Sequence, residues 1–156
     1  MTTSLPSKDM LLEACAGAVA LPHPVLQAAY ELASLHEARM VAGEVGVVRE
    51  IDCARYRLVC EIDRWVVREM PRPYAAASLH TETLGMVVDR VAQFSVDAYA
   101  VLTREEGEGR LHHAWKRLAE LSLAYGDLSY DLAARTRRLP DYGTPRPGDD
   151  ARHGGI

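Results

Sequence analysis

Residues 84–102 read Leu-Gly-Met-Val-Val-Asp-Arg-Val-Ala-Gln-Phe-Ser-Val-Asp-Ala-Tyr-Ala-Val-Leu, and this stretch decides the fold. Spaced at about 100° per residue, its apolar side chains cover nearly the whole circumference of a helix. Its charges are Asp89, Arg90 and Asp97 alone. A helix that is apolar all round has to be wrapped by other elements, so this one is expected at the centre of a helical protein. A buried charge is costly unless paired. Asp89 and Arg90 are therefore expected to find partners on the helices around them.

The flanking sequence supplies those helices. Leu-Pro-His-Pro at 21–24 breaks the chain and opens a helix expected from Val25 to about Ala42, ending before Gly43 and Gly46. A third helix is expected from about Val47 to Glu69, closed by Pro71 and Pro73. The central helix is expected from about Thr81, a candidate N-cap, to Leu102. Glu-Glu-Gly-Glu-Gly at 105–109 reads as a turn, and a fifth helix follows from Arg110 to about Arg138. A short first helix starts at Pro6 and Ser7 and runs to about Ala20. The expected fold is all-α: a bundle of about four long helices plus a short N-terminal one, within residues 1–139. Residues 140–156 turn to Pro, Gly, Asp and Arg without an apolar face, and read as a disordered tail.

Composition narrows the class. The chain has 156 residues, 48% hydrophobic and 26% charged, the balance of an ordinary globular domain. A net charge of -4 argues against nucleic acid as a partner. Of 18 basic residues only Lys8 and Lys116 are lysines, a bias that fits a GC-rich genome better than phosphate recognition. Cys53 and Cys60 stand seven residues apart on one helix, about 10 Å, too far for a disulfide. With Cys15 as the third cysteine, this points to a reducing compartment, the cytoplasm. Residues 10–21 have the length of an export signal core, but Asp9 and Glu13 interrupt the apolar pattern. No run approaches a membrane span, so no membrane partner is expected.

Several polar residues fall on apolar faces. His36 lies near the centre of the second helix's stripe of Val25, Ala29, Leu32, Ala33 and Met40, with Glu37 on its flank. Arg55 lies in the middle of the third helix's stripe, and Asp52 and Asp63 flank it. Those two aspartates belong to an echo, Arg-Glu-Ile-Asp at 49–52 and Cys-Glu-Ile-Asp at 60–63, which repeats within about 20° on one helix face. The pair His112-His113 reads as surface.

Three elements occur in order: Leu-His-Glu-Ala-Arg at 35–39, two Glu-Ile-Asp triplets within 49–63, and Leu-His-Thr-Glu-Thr-x-Gly-x-x-x-Asp-Arg at 79–90. Together they resemble the bacterial domain-of-unknown-function family DUF4254, over roughly residues 24–135. The last element is the most specific. The chain departs from the pattern at Cys53-Ala54-Arg55, where many members are Asn-rich, and at His36-Glu37, often an acidic pair. The resemblance implies a helical fold, marks the same polar positions, and implies no particular reaction.

The functional expectation is a buried polar site for a small, anionic ligand, with catalysis left open. His36 and Asp89 are the candidate acid–base pair. Arg55 and Arg90 are candidates to hold the anion by forked hydrogen bonds, with Glu37, Asp52, Asp63, His80 and Glu82 as further ligand-binding candidates. Gly85 would admit a neighbour or ligand close to the backbone. No cofactor is expected, nor a metal: the Glu-x-x-His pairs of di-iron bundles do not occur on these helices, which leaves only a mononuclear arrangement of His36, Glu37 and His80. The alternative is a non-enzymatic scaffold or accessory protein acting through protein contacts. A homodimer through Leu26, Tyr30 and Leu35 on the second helix would be one form of it.

Overall fold

A computed structural model describes residues 4–142. Among them, five helices dominate: α1 (Lys8–Cys15), α2 (Pro24–Val41), α3 (Val45–Glu69), α4 (Leu84–Thr103) and α5 (Glu108–Ala133). Two short strands, β1 (Ser78–Leu79) and β2 (Arg137–Arg138), form a parallel pair that ties the α3–α4 connection to the end of α5.

α4 is the hub. It packs on α1, α2, α3 and α5, and Leu84, Val88, Val91, Ala92 and Ala98 are fully buried. Consecutive long helices are antiparallel. His23 before α2 meets Trp65 near the end of α3, with ring centroids 4.7 Å apart, and Arg39 near the end of α2 reaches Asp52 in the first half of α3. In the same way Tyr99 packs edge-on against Trp115 across the α4–α5 hairpin, at 5.3 Å. α2 and α5 do not pack on one another. α1 lies between them, touching α2, α4 and α5, and the Tyr125 hydroxyl donates to the Pro6 carbonyl at 2.8 Å.

Local chemistry sets the helix ends. Ser7 caps α1 by accepting from the Met10 amide, and Gly17, at φ +106°, turns the chain away well before Ala20. His23 caps α2: its Nδ1 accepts from the Val25 amide, and its Nε2–H donates to the Ser4 carbonyl at 3.0 Å. The central helix is capped two residues later than expected, by Thr83 rather than Thr81. Residues 80–82 form a turn instead, in which the Glu82 amide donates to His80 Nδ1. α5 stops at Ala133, short of Arg138, because Arg135 takes a positive φ and the following residues pair with β1.

The expected tail lies outside the described residues from position 143 on. Of its described part, Tyr142 donates its hydroxyl to the Thr81 carbonyl at 3.1 Å. No helix among the described residues is long and apolar enough to cross a membrane.

Candidate functional site

The sequence-marked residues separate into two groups. The first lies midway along the bundle, where α2, α3 and α4 meet. His36 is buried there, and its Nε2 stands 2.8 Å from Oδ1 of Asp89. Arg55 grips the same carboxylate with both arms of its fork, Nε to Oδ1 at 3.2 Å and an Nη to Oδ2 at 2.7 Å. Its other Nη donates to Asp52 at 2.8 Å. Arg39, one turn of α2 beyond His36, closes on Asp52 from the other side at 2.9 and 3.3 Å. An imidazole, two guanidiniums and two carboxylates thus form one chain of hydrogen bonds across three helices.

Its electrostatics follow from these contacts. Burial alone would raise the Asp89 carboxyl, but the bonds from His36 and Arg55 outweigh it and hold it below the usual carboxylate range. An ionised carboxylate only accepts, so the hydrogen between Asp89 and His36 belongs to Nε2. Asp52 is likewise held low, chiefly by its bond from Arg39. The network is shielded at one end and open at the other. The His36 side chain is 6% exposed, Asp89 and Arg55 are near 20%, and Asp52 and Arg39 are 40% and 45%.

The second group surrounds the start of α4. Asp63 accepts from the Gly85 amide at 2.8 Å, so a carboxylate on α3 caps a neighbouring helix. Burial pushes its carboxyl up, and the Gly85 amide and Thr83 hydroxyl only partly offset this. Gly85 is required by close packing with a neighbour, since a Cβ there would stand 2.3 Å from the Val59 carbonyl oxygen. Glu82 pairs with Arg90 on the surface.

The structure does not bring Arg55 and Arg90 together. Arg90, about 100° round the helix from Asp89, faces outward to Glu82, in a different group from Arg55. Glu37 is exposed, while His80 is occupied with the Glu82 turn. Among the described residues no three His, Cys, Asp or Glu side chains gather to hold a metal, so His36, Glu37 and His80 do not form the mononuclear arrangement. The second apolar face of α2 is largely consumed within the bundle. Leu26 is fully buried and Leu35 packs against the core, leaving Tyr30 exposed.

Sequence reasoning missed Arg39 as a member of the network. Its signal was available, because Arg39 lies three residues past His36 and thus on nearly the same face. It also missed Arg117, which donates to Asp97 at 2.9 Å while its guanidinium lies 3.9 Å over the Phe94 ring.

A family model described as a protein of unknown function, DUF4254, matches residues 37–140. That span holds Arg39, Asp52, Arg55, Asp63 and Asp89, and begins one residue after His36. No curated protein and no solved structure matches the chain.

Proposed function

We propose that this chain, which belongs to the DUF4254 family, binds a small anionic ligand at the seam of α2, α3 and α4. One observation carries the reading: Arg39 and Arg55, from two different helices, converge on the half-exposed carboxylate of Asp52. The fork of Arg39 and the remaining Nη of Arg55 around one carboxylate make a geometry that a ligand carboxylate or phosphate can enter, with Asp52 swinging into solvent. Asp89 and His36 lie beneath as a floor that keeps Arg55 pointed at the opening.

Anion titration followed by thermal shift tests this, with chloride at matched ionic strength as the reference. A panel of small carboxylates and phosphates should contain at least one that raises the melting temperature saturably. Arg39→Gln should remove the effect, and Asp52→Asn, which deletes the internal competitor, should strengthen it. A flat response to the whole panel, in the wild-type protein and in Asp52→Asn alike, would sink the reading.

A protein-contact role has its support on α3 rather than on the Leu26, Tyr30 and Leu35 face of α2. Val45 and Tyr56 are 80% and 51% exposed, and together with Val48 they line a largely apolar cleft along α3. If this surface joins two copies, Tyr56→Glu should turn a sedimenting dimer into a folded monomer. A wild-type monomer at high concentration removes the idea.

A further inference from the structure

We infer that the groove between α2 and α5, beyond the end of α1, is a separate binding site for a small phosphomonoester. The groove exists because of a length mismatch. α1 is the element that separates α2 from α5, and its 8 residues span about 12 Å, whereas α5 has 26 residues and spans about 39 Å. Where the N-terminal segment meets α5, at Tyr125, the space is filled. Towards the start of α5 it is left as a cleft of about 420 Å³, floored by α4. That volume falls within the range of small-molecule pockets.

The lining is basic and of mixed character. Arg104, Arg110 and Arg117 face it together with His113, and Met40 and Val101 contribute apolar wall. Two carboxylates share the cleft, but each is taken: Asp97 by Arg117 at 2.9 Å and Glu106 by Arg110 at 3.4 Å. Among the described residues, Arg104 has no side-chain partner at all, so one full positive charge is unbalanced. Arg117 adds a second incomplete group. Its Nε is buried and is, among the described residues, the buried side-chain nitrogen or oxygen that lacks a hydrogen-bond partner. Arg117 therefore holds Asp97 through one Nη only, and its guanidinium is less than fully engaged.

These features select among anions. Stacking on Phe94 pins the Arg117 guanidinium in place, so its fork is already oriented. A phosphomonoester brings three terminal oxygens and a charge near -2, enough to engage Arg104 and Arg117 together. A carboxylate has two oxygens and one charge. Met40 and Val101 offer contact to the organic half of the ester, which inorganic phosphate lacks.

Titration calorimetry with phenyl phosphate, inorganic phosphate and benzoate decides the matter. Phenyl phosphate should bind one to one, more tightly than inorganic phosphate and more tightly than benzoate. Arg104→Glu should weaken it at least about tenfold, because charge reversal replaces an attraction by a repulsion. Circular dichroism should be unchanged in that variant, since the Arg104 side chain has no partner to lose. Repeating both titrations in the Arg39→Gln background, where the seam is disabled, reads the groove alone: phenyl phosphate should still bind one to one there, and Arg104→Glu should still weaken it. The inference is overturned if, in the Arg39→Gln background, phenyl phosphate shows no saturable binding at 1:1, if benzoate binds equally well there, or if Arg104→Glu leaves the affinity unchanged. Loss of binding in Arg39→Gln, with Arg104→Glu unaffected, would place the ligand at the seam and likewise overturn it.

Discussion

Asp89 and Asp63 are both half-buried carboxylates at helix contacts, and the protein treats them in opposite ways. Asp89, on the central helix, receives an imidazole and a bidentate guanidinium and is held below the usual range. Asp63, on α3, receives a backbone amide and a hydroxyl, and burial wins, pushing it upward. The difference teaches that burial by itself does not set the state of a carboxylate. A full charge opposite it offsets desolvation, while neutral dipoles do so only in part. The Asp89 region is thus an ionic tie across three helices, whereas the Asp63 region is a dipolar cap on one.

The largest expected effect breaks the ionic side. Arg55→Met strands the Asp89 carboxylate and should cost about 3 kcal/mol in denaturant unfolding. Adding Asp89→Leu should recover much of that loss, because removing a whole buried pair is far cheaper than removing half of one. Additive losses in the cycle would mean that the two residues do not couple, contrary to the bidentate geometry.

The next effect probes the packing beside the dipolar cap. Gly85→Ala sets a methyl group against the Val59 carbonyl and the Asp63 carboxylate, forcing α3 and α4 apart. A loss of about 2 kcal/mol is expected from overpacking of this kind, measured by the same unfolding curves. A neutral or stabilising result would show that the helices separate freely there.

The smallest effect sharpens the contrast through pH. Asp89 has a lowered folded-state pKa, so its stabilisation is present above the ordinary carboxylate value and fades as pH falls through the folded one. Asp63 has a raised folded-state pKa, so its favourable contribution is present below the ordinary value and is lost as pH rises through the folded one. Asp89→Asn should therefore cost more at pH 7 than at pH 3, and Asp63→Asn more at pH 3 than at pH 7. Parallel pH profiles for the two variants would refute the assignment.

Much of this was legible along the chain. The run 84–102 announced a central helix, and α4 does touch four others. His36 and Arg55 were marked because each interrupts an apolar stripe, and both end on Asp89. The echoed Ile-Asp pairs were legible as one face, yet their two jobs were not. Asp52 meets guanidiniums and Asp63 meets a helix start, about 16 Å apart along α3. Likewise Arg90 was marked, with Asp89, as a charge on an apolar helix, and its partner Glu82, in the turn before α4, was not legible.

The sequence by itself determined the all-α class, the central helix and the azimuth of each polar residue on its own helix. Those follow from 3.6-residue periodicity, which is local. Tertiary structure alone decided which helices face one another and at what axial stagger. It thereby set Arg39 against Asp52, placed Asp63 over Gly85, and left the cleft beyond α1 open with Arg104 unpaired. Periodicity fixes an angle about one axis. Partners depend on the offset between two axes, which is set by side-chain volumes such as the missing Cβ at Gly85 and by the length of the short helix that fits between α2 and α5.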